Sequence, residues 1–495
     1  MCNKISGIMA IFLKMGKRCR ISFFLAILSF ASVCSVLANP GPNVVVIFMD
    51  DMGYGDIEPY GAQPYKTPNL SRLAAEGIRF TQFYAAQGVC SASRSALMTG
   101  CYPTRIGIHG ALVPWSSIAL NPDEETIAEL LKDKGYKTGM VGKWHLGQKV
   151  PYLPLQNGFD EYFGLPYSND MWPVNYDGKP ADSNSVKAKY PTLPLIEGNK
   201  TIETIHTLNN QSELTERYTK RAIEFITKNR NQKFFLYMAH SMPHVPLAAG
   251  KRFAGKSKYG LYADVMQEID WSVGEVMKTL EKLNLRNHTL IIFTSDNGPW
   301  LNYGNHAGSS GGLREGKGTH WEGGVRVPCL MSMPGTIQPA VTSNSLASTI
   351  DVLPTVAALC NTKLPSKKID GINLLPLLKG DANANGRSSF VYYYDVNNLK
   401  AVRTDRWKLV FSCKFRTYKM YEIGKDGWPG RVVDDSTQLA LYDLMHDPGE
   451  NFDLKDQYPE VVTELNKIAD QYRKELGDGL TKMKGVEVRP AAAVK

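Results

Sequence analysis

Four short apolar runs in this chain each end, on their carboxyl side, in residues that can do chemistry. Asn43–Met49 (NVVVIFM) is continuous and rich in β-branched residues, so it reads as a strand buried on both faces. It runs into Asp50-Asp51-Met52-Gly53-Tyr54-Gly55-Asp56. Phe234–Ala239 leads to His240 and then to Pro243-His244-Val245-Pro246. Thr289–Ser295 leads to Asp296-Asn297-Gly298, and a weaker run over 136–142 leads to Lys143-Trp144-His145-Leu146-Gly147. A strand buried on both faces needs cover on both sides, which restricts the chain to an α/β arrangement. In open sheets of that kind ligands bind at the carboxyl edge, where these polar residues collect.

Helical patterns alternate with the runs. Residues 67–77 carry an N-cap threonine, a first-turn proline and a closing glycine, and Asn121-Pro122 is expected to open a helix ending near Gly135. Apolar residues from Tyr262 to Leu280 recur at helical spacing. The expected fold is therefore α/β, a mostly parallel mixed sheet flanked by helices. After residue 385 the texture changes. Short strands are expected at Phe390–Tyr394, 399–403, 407–412 and 439–442, followed by a helix over Pro459–Leu476. These make a smaller C-terminal α+β domain, 386–495, with an antiparallel sheet, following a catalytic domain, 39–385. The last residues, Pro490 to Lys495, are expected to be loose.

Residues 1–38 contain five basic residues, no acid and an apolar run from Ile21, ending Val36-Leu37-Ala38 before Asn39-Pro40. This reads as a signal peptide, with an uncleaved membrane anchor as the alternative. The chain is thus expected to be secreted or periplasmic, or lysosomal or extracellular in a eukaryote, with no stable membrane association. The formal net charge of +9 falls to +4 once that segment is removed, and no basic tract argues for nucleic acid. Of eight cysteines five remain: Cys90, Cys101, Cys329, Cys360 and Cys413. Their scatter suits neither a disulfide framework nor a metal motif.

Asp50, Asp51, Asp296 and Asn297 offer only oxygen donors, a set that suits a hard cation, calcium first and magnesium second. Asp56, beyond a Gly-Tyr-Gly turn, reads as support for that turn or for the site. Cys90-Ser91-Ala92-Ser93-Arg94 opens what reads as a helix, with the arginine one turn from the cysteine. His240 and His244 compete for a catalytic place, and the Pro-His-x-Pro frame favours His244. The connections 147–211 and 298–324 are long for loops and so are candidates for function. They carry Asp170, Trp172 and His306 among other aromatic, amide and charged residues, a mixture suited to sugar rings, or else an ordinary loop rim.

Asp-Asp-Met-Gly-Tyr-Gly-Asp, Cys-Ser-Ala-Ser-Arg, Gly-Lys-Trp-His-Leu-Gly, Pro-His-Val-Pro, Ser-Asp-Asn-Gly and Gly316-Lys317-Gly318-Thr319 occur in this order over nearly the whole chain. Together they resemble the type I, formylglycine-dependent sulfatases, most closely the arylsulfatase A and N-acetylgalactosamine-6-sulfatase group. The resemblance implies an alkaline-phosphatase-like sulfatase fold. It implies calcium held by Asp50, Asp51, Asp296, Asn297 and the modified Cys90, and active-site roles for Arg94, Lys143, His145, His244 and Lys317. It implies oxidation of Cys90 to formylglycine by a formylglycine-generating enzyme. Position 92 is Ala where many members have Pro, a form familiar from bacterial members. The expected substrate is a sulfate monoester on a saccharide or a small aryl alcohol. Lys143, His244, Lys317, Asp170, Trp172 and His306 are the candidate substrate-binding residues. A formylglycine-dependent phosphodiesterase or phosphonate monoester hydrolase and a catalytically silent carbohydrate-binding relative are the alternatives.

Overall fold

The computed structural model describes residues 41–62, 64–419 and 422–494. The expected signal peptide, 1–38, lies outside the described residues. Among those described, no helix is long and apolar enough to cross a membrane.

Ten strands form one sheet, in the order Val341–Ser343, Ile78–Phe80, Cys329–Ser332, Thr289–Ser295, Asn43–Met49, Phe234–Ala239, Lys137–Gly142, Glu161–Gly164, Leu193–Glu197, Lys200–Ile205. The five strands from Thr289–Ser295 to Glu161–Gly164 are mutually parallel. Antiparallel pairings flank that centre on both sides. Alternation along Asn43–Met49 divides the core in two. Val45, Ile47 and Met49 join Leu70 and Leu73 of the Pro68–Ala75 helix, Ala222 of Leu214–Lys228 and Ile269 of Leu261–Lys282. Val44, Val46 and Phe48 face the other way, onto Leu97 of Cys90–Thr99, Leu131 of Ile127–Asp133 and Val356 of Val352–Leu359.

Several local expectations are corrected. The helix placed after Asn121-Pro122 begins at Ile127, because Thr126 and Glu129 form a reciprocal capping box. Asn121 instead caps a turn, its side chain accepting from the Asp123 amide. Thr67 precedes its helix but does not cap it, since its hydroxyl accepts from the Glu58 amide. The connection 147–211 is not a single loop: it contributes Glu161–Gly164 and the hairpin Leu193–Glu197/Lys200–Ile205 to the sheet.

The C-terminal region forms a four-stranded antiparallel sheet of Phe390–Tyr394, Asn398–Arg403, Trp407–Val410 and Ala440–Asp443, against which the Pro459–Leu476 helix packs. Cys413–Thr417 and Val433–Thr437 form a further hairpin that the sequence reading missed. The last residues are not loose: Ala492–Ala493 pairs with Ile118–Ala119, and Arg489 holds Glu124 at 2.7 Å.

Between this sheet and the region of the ten-stranded sheet lies a buried charge network. Lys408 Nζ is 2.7 Å from Glu450 and 3.2 Å from Glu322, and Glu322 also accepts from the Tyr84 and Tyr392 hydroxyls. Replacing one member of such a set leaves uncompensated charge in a dry interior. Lys408→Met is expected to destabilise the fold by ~3–5 kcal/mol, to be read from denaturant unfolding; a loss below about 1 kcal/mol, the range of exposed pairs, would show that the network is not holding the two parts together.

Candidate active site

Strand register builds the site. Met49 is level with Ser295, Phe48 with Ala239, and Gly142 with Ala239, so four parallel strands stop at nearly the same height. Their successors, Asp50-Asp51, Asp296-Asn297, His240 to His244 and Lys143 to His145, are thereby brought to one edge. Asp51 and His145 both take left-handed backbone angles, φ 64° and 63°. Such angles in non-glycine residues cost energy and gather where a side chain must be aimed. At Asp51 the turned backbone directs its amide to Asp296 Oδ1 at 3.1 Å. The Cys90–Thr99 helix, buried along its whole length, brings its first residue to the same edge.

Asp50, Asp51, Cys90, Arg94, Lys143, His145, His244, Asp296, Asn297 and Lys317 are all buried. Arg94 gives Nε and Nη2 to Asp296 Oδ2, at 3.0 and 2.7 Å, and Nη1 to the Lys143 carbonyl. Its guanidinium therefore positions Asp296. Lys143 Nζ pairs with Asp50 and donates to Ser168 Oγ at 3.0 Å. Lys317 Nζ bridges both oxygens of Asp51, at 2.7 and 2.9 Å, and lies 4.3 Å from the Trp300 ring centre. His244 Nε2 is 3.5 Å from Asp51 Oδ2. Its Nδ1 faces the Val245 carbonyl, which makes Nδ1 the donor and leaves Nε2 to the site. His145 Nε2 lies 2.7 Å from the Leu112 carbonyl, so Nε2 carries the hydrogen; its Nδ1 is buried without a protein partner.

His240 contacts Ser272 Oγ and packs on Tyr218, away from the acids, so of the two histidines it is His244 that stands at the acid cluster. Asp56 is support: it accepts from the Gly53 and Ser309 amides and the Tyr262 hydroxyl. A Cβ on Gly53 would lie 2.1 Å from the Ser309 carbonyl oxygen, which is why glycine stands in that turn.

Burial and the neighbouring charges set the protonation of the site. Burial pushes the Asp296 carboxyl up to about 7, with Asp50 adding to the rise. Asp50 is also opposed by burial, yet Lys143, His244 and Arg94 hold it well below the usual carboxylate range. Burial opposes the charge on Lys317, but Asp51 outweighs it and keeps the ammonium protonated. Burial, reinforced by Lys143 and Arg94, depresses His145 well below its usual range, so this ring is neutral. Burial pushes the Cys90 thiol up to about 12.

The donors fit a hard cation. Asp50 Oδ1 and Asn297 Oδ1 are buried with no protein partner, as Asn297 directs its amide nitrogen to Asp51 Oδ1 at 2.7 Å. Ligating atoms of Asp50, Asp51, Cys90 and His244 all lie within 4.8 Å of one another. Asp50, Asp51 and Asp296 are matched by Arg94, Lys143 and Lys317. A divalent ion added there would leave the pocket net positive and ready for an anion.

The remaining sequence candidates sit around this centre in different ways. Asp170 has a buried, unpartnered Oδ1, and burial, which opposes its charge, is outweighed by His244 and Lys187. Trp172 is fully buried in the core and presents no open face, so it backs the wall. His306 lies against Gly427, on a turn from the C-terminal region. Sequence reasoning missed Ser168 and the C-terminal residues Tyr394, Arg416, Tyr418 and Trp428, whereas Asn169 and Trp300 are among the long-loop residues it singled out. Asn169 donates to the His244 carbonyl at 3.4 Å, and Trp300 packs edge-on to the His244 ring at 5.5 Å. Trp428 stands edge-on to Tyr176 and is 45% exposed.

A large mixed sheet at whose carboxyl edge three acids, three cationic side chains and a buried cysteine meet offers a site suited to an anionic ester. The sulfatase family profile matches residues 42–362, and a profile for the C-terminal region of aryl-sulfatases matches 386–494. Arylsulfatase A of Bos taurus is 39% identical over 471 residues, covering 90% of this chain and 89% of its own. N-acetylgalactosamine-6-sulfatase of Homo sapiens is 36% identical over 464 residues, covering 88% and 86%. The PsFucS1 sulfatase from Pseudoalteromonas sp. superposes with a TM-score of 0.77 at 28% identity, covering 90% and 92%. The chain belongs to the sulfatase family, and it is an enzyme acting on sulfate esters.

Proposed function

We propose that the protein is an exported, calcium-dependent sulfatase in which Cys90, oxidised to formylglycine, cleaves a sulfate monoester on a saccharide and also accepts small aryl sulfates. The observation that carries this reading is Cys90 itself. A thiol pushed up to about 12 is a poor nucleophile. Yet it stands among Asp50, Asp51 and His244 at the centre of the site. A formylglycine-generating enzyme is the partner this conversion requires, and magnesium is the second choice of ion.

Asp50, Asp51, Asp296 and Asn297, with residue 90, would hold the cation. A cation there would lower the pKa of one hydroxyl of a hydrated aldehyde at residue 90, so that its ionised oxygen could serve as nucleophile, and the hydrate would offer a second hydroxyl for the release of sulfate. The chain's own residues do the rest. Lys143 and Lys317 face the sulfate oxygens and stabilise the charge they gather. His244 Nε2, beside Asp51, protonates the departing ester oxygen. His145 Nδ1, neutral and unpartnered, takes the proton whose loss expels sulfate. Arg94 keeps Asp296 in place. Trp300 covers His244 and Lys317 and excludes water.

If His244 is the acid, its value depends on the leaving group. His244→Ala is expected to lower kcat for an alkyl or saccharide sulfate by ~10²–10³ and to affect 4-nitrophenyl sulfate far less, since that phenoxide leaves without a proton. Equal losses on both classes would remove the assignment.

The name of the N-acetylgalactosamine-6-sulfatase relative supports a saccharide substrate, as do the polar and aromatic side chains around Asp170 and Trp300. The deciding experiment measures sulfate release against phosphate and phosphonate ester hydrolysis, then compares aryl with saccharide sulfates. Higher efficiency on a phosphorus ester would replace the sulfatase mechanism with the phosphodiesterase or phosphonate hydrolase reading. Absence of turnover in fully matured protein would favour the carbohydrate-binding one.

A further inference from the structure

We propose that Arg416, carried by the C-terminal region, binds a second anionic group of the saccharide, so that the preferred substrate bears a sulfate or carboxylate next to the ester that is cleaved. This rests on the saccharide sulfatase reading above and names a substrate class for the same site.

Along the strand Cys413–Thr417, Cys413, Phe415 and Thr417 are buried, while Lys414 and Arg416 lie on the opposite face. Lys414 is exposed, but Arg416 is covered in part because it leans over the loop that carries Lys317. Its Nη1 lies 3.1 Å from the position a Cβ on Gly318 would take, as does the Tyr394 hydroxyl. Gly318 donates its amide to the Gly88 carbonyl at 2.7 Å, two residues before Cys90. Tyr418, which lies close to Arg416, donates its hydroxyl to the Lys317 carbonyl at 2.6 Å. The guanidinium thus lies over the backbone that joins Lys317 to the Cys90 segment.

What Arg416 lacks is a counter-ion. Arg94, Arg105, Arg286, Arg387 and Arg473 each hold a carboxylate within 3.0 Å. Arg416 forms no ion pair among the described residues. Its cross-strand neighbour Asp434 is exposed, and Asp395 is paired with Lys400. A half-buried, oriented guanidinium presents a fork that matches sulfate or carboxylate oxygens. With a neutral sugar in that place the fork stays unpaired, and binding loses by it.

The test uses matured, calcium-loaded enzyme and three saccharides that share one cleavable sulfate. In the first the neighbouring group is neutral, in the second a uronate, in the third a further sulfate. Wild type is expected to prefer one or both dianionic substrates, and the two arms show which anion the site takes. Arg416→Gln is expected to reduce that preference about tenfold, mainly through KM, with Arg416→Lys recovering part of it. An unchanged preference in Arg416→Gln overturns the proposal. A parallel loss on all three also overturns it, since Arg416 would then serve the reacting sulfate, or the fold if the melting temperature drops too. If wild type cleaves aryl sulfates but none of the saccharides, the saccharide reading fails, and the Arg416 assignment falls with it. If saccharides are cleaved and only the preference stays fixed, the Arg416 proposal alone fails.

Discussion

Cys90→Ala is expected to abolish sulfate release, by at least about 10⁴-fold, with the fold intact. The Cys90 side chain is buried at the first turn of a helix packed on every side, so losing one sulfur atom disturbs little. Alanine cannot take over its chemistry, because Cys90 is the residue whose side chain meets Asp50, Asp51 and His244 in that cluster. In active wild-type protein, mass spectrometry of the peptide containing residue 90 should find an aldehyde or its hydrate where the gene specifies a thiol. Fully active material with an unmodified thiol would end the formylglycine mechanism. Cys90→Ser separates the two halves of the reaction. A single hydroxyl can accept sulfate from the ester but has no second hydroxyl through which to expel it. A slow variant that accumulates a sulfate adduct at residue 90 is the expected outcome, and steady turnover near wild type would contradict it.

The second large effect is expected at Asp51. Asn is the informative replacement, because it tolerates the left-handed backbone this position adopts, at φ 64°, whereas Ala would add strain to the loss of charge. Asp51→Asn removes the charge that holds Lys317 and that lies 3.5 Å from His244. Turnover is expected to fall by about 10³ or more. A readout independent of activity is the stabilisation given by calcium. At a hundred times its Kd a ligand stabilises the native state by about 2.7 kcal/mol. That rise in unfolding free energy should appear in wild type and largely vanish in Asp51→Asn. Stoichiometric zinc in the purified protein, or full activity after exhaustive chelation, would count against the calcium site.

Much of the centre was legible because its signals are local. A continuous β-branched run such as Asn43–Met49 marks a strand buried on both faces, and a parallel sheet must end in loops that carry its polar cargo. Asp50, Asp51, Asp296, Asn297, Lys143 and His244 follow directly from that. The choice between His240 and His244 was harder. Both follow one strand; the Pro-His-x-Pro frame only favours His244, and the packing of His240 against Tyr218 and Ser272, with His244 beside Asp51, separates them. Where the reading failed, a competing local signal had been passed over, as at Thr126 and Glu129, whose capping box starts the helix later than Asn121-Pro122 suggested. The hairpin strands Leu193–Glu197 and Lys200–Ile205 were hidden in a segment too polar to look like part of a sheet.

Side-chain periodicity records which face of an element is buried and says nothing about what covers it. The sequence by itself therefore determined the fold class, the edge where chemistry gathers and the residue types on that edge. Only the tertiary structure decided that Arg94 serves Asp296, that Trp172 is wall and not platform, that the chain's last residues close a strand pair with Ile118–Ala119, and that Arg416 leans over Lys317. Each of those contacts joins residues far apart in the chain. Their geometry comes from strand register and from the docking of the C-terminal sheet, two relations that no local pattern encodes.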